Sequence, residues 1–378
     1  MRNDRPETRL ATRLAFVAAG FAMASWAPLV PFAKRNVGVD EAGLGLLLLC
    51  LGVGSVLAMP LTGALCARIG TRPVIVAGGL GLVAALPLLV LAPGAGLLGL
   101  VLMLFGAALG AMDVAMNIHA VEVERDAPQP LMSGFHAMFS IGGFAGAGGV
   151  TALLAGGLGP VPAALAASLV TLAAVLLAGP RLLVARAAEA PQPFAWPRGI
   201  VLGLALLASV AFLVEGAMLD WGALLITARG LLEPAQSGLG YMLFSGAMTL
   251  GRLGGDRVVA RLGAARVLTA GAGLATFGIL CLLVAPVAGL ALAGFVLVGL
   301  GASNIVPVLF SLAGRQGVMA PTLAIASVTT LGYAGILLGP ALLGFVAHRF
   351  DLVIAFALLG ALLLIIPVTA RRLTAAIR

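Results

Sequence analysis

Charge is what this sequence has least of. Asp, Glu, Lys and Arg make up 10% of its 378 residues, where a soluble domain carries about 25%. Hydrophobic residues reach 61%. Too few polar side chains remain to coat a surface facing water, so the chain is expected in a bilayer. Strict alternation of apolar and polar residues is also missing. Stretches such as Leu44 to Pro60 and Leu268 to Val284 run on without it, which argues against a transmembrane barrel and leaves helices. Lysine is all but absent, with Lys34 alone among 22 cations. The three cysteines, Cys50, Cys66 and Cys281, lie within or at the end of apolar runs. Their spacing supports neither a metal site nor a disulfide framework. No Gly-x-x-x-x-Gly-Lys-Ser/Thr loop occurs, so ATP-driven transport by this chain alone is not expected. No catalytic constellation is visible either. The chain is not expected to be an enzyme or to carry a cofactor.

A net charge of +8 would suit nucleic acid. The cations, however, stand in ones and twos between apolar runs, so no nucleic-acid partner is expected. Their distribution instead orients the chain. Twelve apolar spans are expected at 11–33, 42–65, 74–92, 96–118, 131–155, 161–179, 199–227, 237–255, 266–285, 289–313, 321–346 and 352–370. With the N-terminus inside, 18 cations fall at or near the inner face. Only Lys34, Arg35, Arg229 and Arg349 fall outside, a strong positive-inside bias. Both termini are then cytoplasmic. Met1 to Arg13 followed by an apolar run imitates a signal peptide. The core of that run recurs in the second half of the chain, so it is read as the first spanning helix.

The chain contains itself twice. Ala22-Met23-Ala24-Ser25-Trp26 returns as Ala217-Met218-Leu219-Asp220-Trp221. Ala42-Gly43-Leu44-Gly45 returns as Ser237-Gly238-Leu239-Gly240, and Ala67-Arg68-Ile69-Gly70 as Ala260-Arg261-Leu262-Gly263. The charged and Pro-rich break at 181–198 separates six spans from six. The expected fold is therefore an all-α membrane protein with 12 transmembrane helices in two pseudo-symmetric bundles, 1–180 and 199–378, joined by a cytoplasmic linker. Internal repeats of this kind are characteristic of transporters that hold cargo at the repeat interface. Glycine is common, at 52 residues. Gly106-x-x-x-Gly110, Gly142-x-x-x-Gly146 and Gly335-x-x-x-Gly339 each place small residues on one helix face, which lets helices approach closely in lipid.

Gly63-x-x-x-x-Arg68-x-Gly70-x-Arg72 after span two, with two six-span halves around a central loop, resembles the major facilitator superfamily over essentially the whole chain. Three stretches are similar to its fucose-permease-related bacterial branch of sugar-type carriers. They are Asp113-Val114-Ala115-Met116-Asn117, Ser133-Gly134-Phe135-His136-Ala137-Met138-Phe139-Ser140 and Glu215-Gly216-Ala217-Met218-Leu219-Asp220-Trp221. The resemblance implies a bacterial-type inner membrane and a functional monomer. It also implies a latch of inner-loop charges that holds the outward-facing state. In the family an Asp precedes the first Arg of that loop, but here the position is Ala67. The second half offers Asp256 before Arg257. The latch set is Arg68, Arg72, Arg252, Asp256, Arg257 and Arg261, and the alternative is that these arginines only fix topology.

Ionisable side chains inside a membrane are costly and mark function by default. Asp113 and Asn117 lie one turn apart on span four, and His136 and Ser140 one turn apart on span five. Asp113 with His136 is the candidate proton site, and the resemblance adds that a span-four acid is linked to proton coupling and sugar binding. The alternative is that Asp113 is a hydrogen-bonding strut. On span seven, Glu215 is read as facing the lumen and joins the proton-coupling set. Asp220, nearer the outer end, suits a solvated or gating role. Trp26 and Trp221 are equivalent by repeat and suit either a stacking platform for a solute or an interfacial anchor. Asn304 aligns with Asp113, and Pro307 beyond it is expected to bend span ten. Asn117, Ser140, Trp26, Trp221, Asn304 and Asp220 form the candidate substrate set. His119, Glu122, Glu124, Arg125 and Asp126 are read as a solvated inner loop. The expected activity is proton-coupled transport of a small polar organic solute, sugar-like first and by symport. Proton-antiport efflux of drugs or metabolites is the alternative.

Overall fold

The computed structural model describes residues 5–39, 41–183, 196–232 and 238–377, and among them it is helical with no strand. In chain order the helices are α1 Pro6–Trp26, α2 Val30–Val37, α3 Glu41–Ile69, α4 Thr71–Leu91, α5 Ala95–Arg125, α6 Met132–Ala155, α7 Pro160–Ala178, α8 Ile200–Asp220, α9 Gly222–Ala228, α10 Gly238–Leu262, α11 Ala264–Val284, α12 Ala288–Ala302, α13 Ile305–Arg315, α14 Pro321–Arg349, α15 Leu352–Leu363 and α16 Ile365–Ala375. Eleven helical stretches among the described residues are long and apolar enough to span a bilayer. The twelfth expected span is α10. At 25 residues it is long enough, but Arg252, Asp256, Arg257 and Arg261 make it less apolar than the rest.

Four expected spans are broken rather than straight. The first is α1 and α2, joined by a 3₁₀ turn at Ala27–Leu29 that contains Pro28, with Pro31 just beyond it. Span seven is interrupted at Trp221, between α8 and α9. The breaks between α12 and α13 and between α15 and α16 share a cause. Each falls about one turn before a proline, Pro307 or Pro367. Proline has no N–H to give the carbonyl four residues back. The bend expected at Pro307 is therefore a break at Ser303 and Asn304. In the other direction, α5 outruns its apolar core. No Gly or Pro occurs between Met112 and Ala127, so the helix continues to Arg125. The residues from His119 to Arg125, read as loop, are its last turns.

The repeated Ala-Arg-x-Gly turns have a backbone reason. Gly70 caps the start of α4 at φ 87°, and Gly263 caps the start of α11 at φ 78°. A side chain is strained in that region, so glycine recurs where the turn recurs.

The described chain divides into two compact units. The first is Met1–Pro128, Phe135–Trp196 and Ala320–Ala326, and the second is Gln129–Gly134, Pro197–Met319 and Ser327–Arg378. The start of α6 thus belongs with the second unit and the start of α14 with the first. The linker expected at 181–198 lies mostly outside the described residues. Inside each unit the three glycine motifs sit where helices meet backbone to backbone. A Cβ on Gly106 would overlap the Leu51 carbonyl oxygen of α3, and one on Gly110 would stand 2.9 Å from Ser55 Cα. Gly142 and Gly146 meet the Val17 and Phe21 carbonyls of α1, while Gly335 meets the Ser209 carbonyl of α8. Ser55 Oγ adds a hydrogen bond to the Gly106 carbonyl at 2.7 Å. These contacts are dispersion plus interhelical hydrogen bonds, the forces available where lipid tails cancel the hydrophobic drive between helices.

Gly106→Ala should therefore destabilise the protein by about 1–3 kcal/mol through overpacking. Gly96→Ala, in the same helix with nothing within 4 Å of the added carbon, should leave stability unchanged or slightly raised. Thermal unfolding of the purified protein in detergent checks both; equal effects would disprove the close approach of α5 to α3.

Candidate transport site

In the first unit, Asn117 stands between Asp113 and His136. Its Nδ2 donates to the Asp113 carbonyl oxygen at 2.9 Å and lies 3.4 Å from Asp113 Oδ1. A backbone carbonyl only accepts, so the amide's orientation is settled. Oδ1 then faces His136 Nε2 at 3.1 Å, and Nε2 must carry the hydrogen. The pairing of Asp113 with His136 expected from sequence is thus indirect, through an amide. Asn117 is fully buried and Asp113 nearly so. No described cation pairs with Asp113. The His136 ring meets Phe16 edge-on, with centroids 5.3 Å apart, and Phe16 stacks on Phe135. Ser140 Oγ points back along its own helix to the His136 carbonyl at 3.4 Å.

A second histidine in this unit has a different use. His119, read from sequence as a solvated loop residue, is buried because α5 continues past it. The Leu183 N–H donates to its Nε2 at 2.9 Å. Thr12 Oγ1 gives its proton to the Thr8 carbonyl, so at 3.3 Å it accepts from His119 Nδ1. Both ring nitrogens are assigned, and the ring is a neutral strut tying α1 and the segment after α7 to α5. Glu124, also read as loop, is buried, while Glu122 and Arg125 form a surface ion pair.

In the second unit the charges are arranged otherwise. Arg252 lies buried in α10 and reaches Glu215 of α8 at 3.5 Å. Its Nε donates to the Ser303 carbonyl at 3.3 Å. That carbonyl is the one Pro307 leaves without a helix donor. Arg252, expected at the inner face as part of the latch, is therefore an internal cation held by a broken helix. Asn304 follows directly. It donates to the Gly251 carbonyl at 3.1 Å and to Ser303 Oγ at 2.9 Å, and its own Oδ1 is buried without a described partner. Asp220 is exposed, in keeping with its place near the end of α8.

Of the other latch residues, Asp256 accepts from the Ser133 and Gly134 N–H groups at 2.9 and 3.0 Å. These are orphan donors at the start of α6, where a carboxylate is favoured by both hydrogen bonding and the helix dipole. Arg68, Arg257 and Arg261 are exposed; they and Arg72 have no described ion pair. The two tryptophans resemble each other in environment as well as position. Trp26 Nε1 and Trp221 Nε1 are both buried without a hydrogen-bond partner among the described residues. Gly344 lies against the Trp221 ring. An interfacial anchor shows its N–H to water or headgroups; these indoles do not.

These features have relatives. The Major Facilitator Superfamily model matches residues 14–317. An uncharacterised MFS-type transporter of Yersinia pestis is 49% identical over 367 residues, covering 97% of this chain and 96% of the relative. Among solved structures, FucP, the E. coli fucose:proton symporter, matches with a TM-score of 0.79 at 17% identity, covering 98% of this chain and 99% of that one. The human organic anion transporter MFSD10 matches with a TM-score of 0.78 at 16% identity, covering 97% and 100%. The chain belongs to the Major Facilitator Superfamily. It is a multi-pass membrane protein of transporter type and not an enzyme.

Two substitutions test the wiring. Asn117→Ala leaves buried polar groups of Asp113 and His136 without their partner and should cost about 1–3 kcal/mol. Pro307→Ala offers Ser303 a helix donor, so it should stabilise by about 0.5–1.5 kcal/mol. Thermal unfolding in detergent reads both, and a lower midpoint for Pro307→Ala would show that Arg252 makes the better partner for that carbonyl.

Proposed function

We propose that the chain is a proton-coupled secondary carrier of a small polar organic solute, working by alternating access. The observation that carries this reading is the Asp113–Asn117–His136 chain, buried at Asp113 and Asn117, with its acid unpaired by any described cation. An acid and an imidazole inside a membrane are the usual carriers of transported protons. His in particular changes charge near physiological pH. The amide between them is no proton wire, because its nitrogen and oxygen are each committed to one neighbour. It couples by geometry instead. Loading Asp113 with a proton changes what Asn117 donates to, and the other end of the same amide holds His136. Amide, imidazole and hydroxyl groups on two adjacent helices suit a solute with hydroxyls, and import by symport with a sugar-like solute is the first assignment. The distribution of arginines supports cytoplasmic termini, and the resemblance to bacterial sugar-type carriers supports a bacterial-type inner membrane.

A second reading, proton-antiport efflux of a more apolar compound, draws on Phe16 and Phe135. The Phe16 ring meets His136 edge-on and stacks on Phe135, giving the imidazole an apolar neighbour.

Reconstituted into liposomes with an internal pH dye, the protein should move protons when the right solute is added outside. Asp113→Asn should reduce solute-driven proton movement by roughly 5- to 150-fold, the range of a 1–3 kcal/mol coupling, while solute exchange at equal pH persists. Acidification would indicate symport and alkalinisation antiport. A mutant that couples as well as the wild type removes Asp113 from the mechanism.

A further inference from the structure

From the second unit we infer that Arg252 and Glu215 form a binding site for the carboxylate of an organic anion, with Glu215 taking up the proton that travels with it. This rests on the proton-coupled reading and names the substrate class. The geometry separates a fixed cation from a replaceable anion. Arg252 is held by Nε at the Ser303 carbonyl, and that bond does not depend on Glu215. Its link to Glu215 is one contact at 3.5 Å, longer than the 2.7–2.9 Å of a tight guanidinium–carboxylate bond. A pair built only to hold two helices together would be expected to close to that distance and use both oxygens. The Glu215 side chain is also 19% exposed, against 9% for Arg252, so it is the more accessible member of the pair. Tyr241, one helix face along α10, lies within electrostatic reach of Glu215, Arg252 and Asp220. Asp220 and Tyr241 are the other titratable groups described near this pair.

The exchange balances. In the empty state the Arg252 guanidinium and the Glu215 carboxylate sum to zero as a pair, and Asp220 is a constant in both states. An incoming carboxylate takes the place of Glu215 on Arg252, and Glu215 binds one proton. The loaded site again sums to zero, having gained one anion and one proton. Neither form then needs to carry net charge across the membrane. Uptake of such an anion should follow the pH gradient and ignore the membrane potential.

The test uses full-length protein and four probes: D-glucuronate, D-gluconate and L-lactate, with D-glucose as the neutral match to glucuronate. At least one carboxylate, but not glucose, should raise the thermal midpoint of the purified protein and enter proteoliposomes under an inward proton gradient. Clamping the potential with potassium and valinomycin should leave that rate unchanged. Glu215→Gln should lose at least tenfold of the acceleration that the gradient gives carboxylate uptake. Arg252→Gln should lose binding. Because an unpaired buried Glu215 can unfold that variant, the neutral pair Arg252→Gln with Glu215→Gln serves as the folded control and should not bind. Proton-coupled glucose uptake with no response to any carboxylate overturns the anion assignment and leaves the proton-coupled reading standing. Carboxylate counterflow that ignores the gradient in wild type overturns the role of Glu215 and the proton-coupled reading together. Carboxylate binding by the neutral pair overturns the site itself.

Discussion

In hydrocarbon a backbone carbonyl has no water to turn to, and every break in a helix must find an internal donor. That constraint organises this molecule. Pro307 frees the Ser303 carbonyl, and the partner it finds is Arg252. A guanidinium brought into the bundle for that bond must itself be balanced, since a buried charge without a partner is costly. Glu215 supplies the balance. A single imino acid in α13 thus accounts for a buried cation and its half-buried counter-charge on two other helices. The same constraint explains the glycine motifs. Helices whose own backbones are satisfied gain most from close approach, and Gly106, Gly142 and Gly335 bring one helix to within touching distance of the next helix's carbonyls.

The two halves meet this constraint differently. At the place of Glu215 the first half has Gly20, packed on the Phe139 carbonyl. Where Asn304 sits at a broken helix, Asp113 sits inside the continuous α5. With no proline there, no carbonyl is freed and no arginine is drawn in. The first unit consequently holds an acid without a described cation, and the second holds an acid with one. Two acids in such different electrostatic settings are suited to different tasks, one responding to protons alone and the other to protons and an anion together.

Much of this was legible in the chain. The duplicated Ala-Arg-x-Gly turns, the three small-residue motifs and the one-turn spacing of Asp113 and Asn117 all depend on local periodicity, and periodicity reports which face a residue occupies. It does not report the neighbour on the next helix. Arg252 looked like a loop cation because it stands a few residues from Asp256 and Arg257, and its partner lies 37 positions away on α8. Apolar content also marks only the lipid-facing length of a helix. It ended span four near Ile118, although nothing in the following residues stops a helix before Pro128. The one long-range clue available was Pro307. A proline within a span names the carbonyl four residues earlier as a group in need of a donor, and the only charged donor within the neighbouring span eight core is Arg252.

The histidines show how such a molecule separates support from response. His119 has a donor on one ring nitrogen, the Leu183 N–H of the segment after α7, and an acceptor on the other, Thr12 Oγ1 of α1. A proton added at Nε2 would have to displace the Leu183 N–H, so that ring resists change of state and serves as a strut. His136 instead faces an amide oxygen through Nε2, and that amide is shared with a carboxyl. Its hydrogen bond depends on the state of another titratable side chain. The difference lies in the partners: backbone N–H groups and helix-bound hydroxyls hold a ring in one form, whereas a shared amide lets one group's charge alter the other's bond.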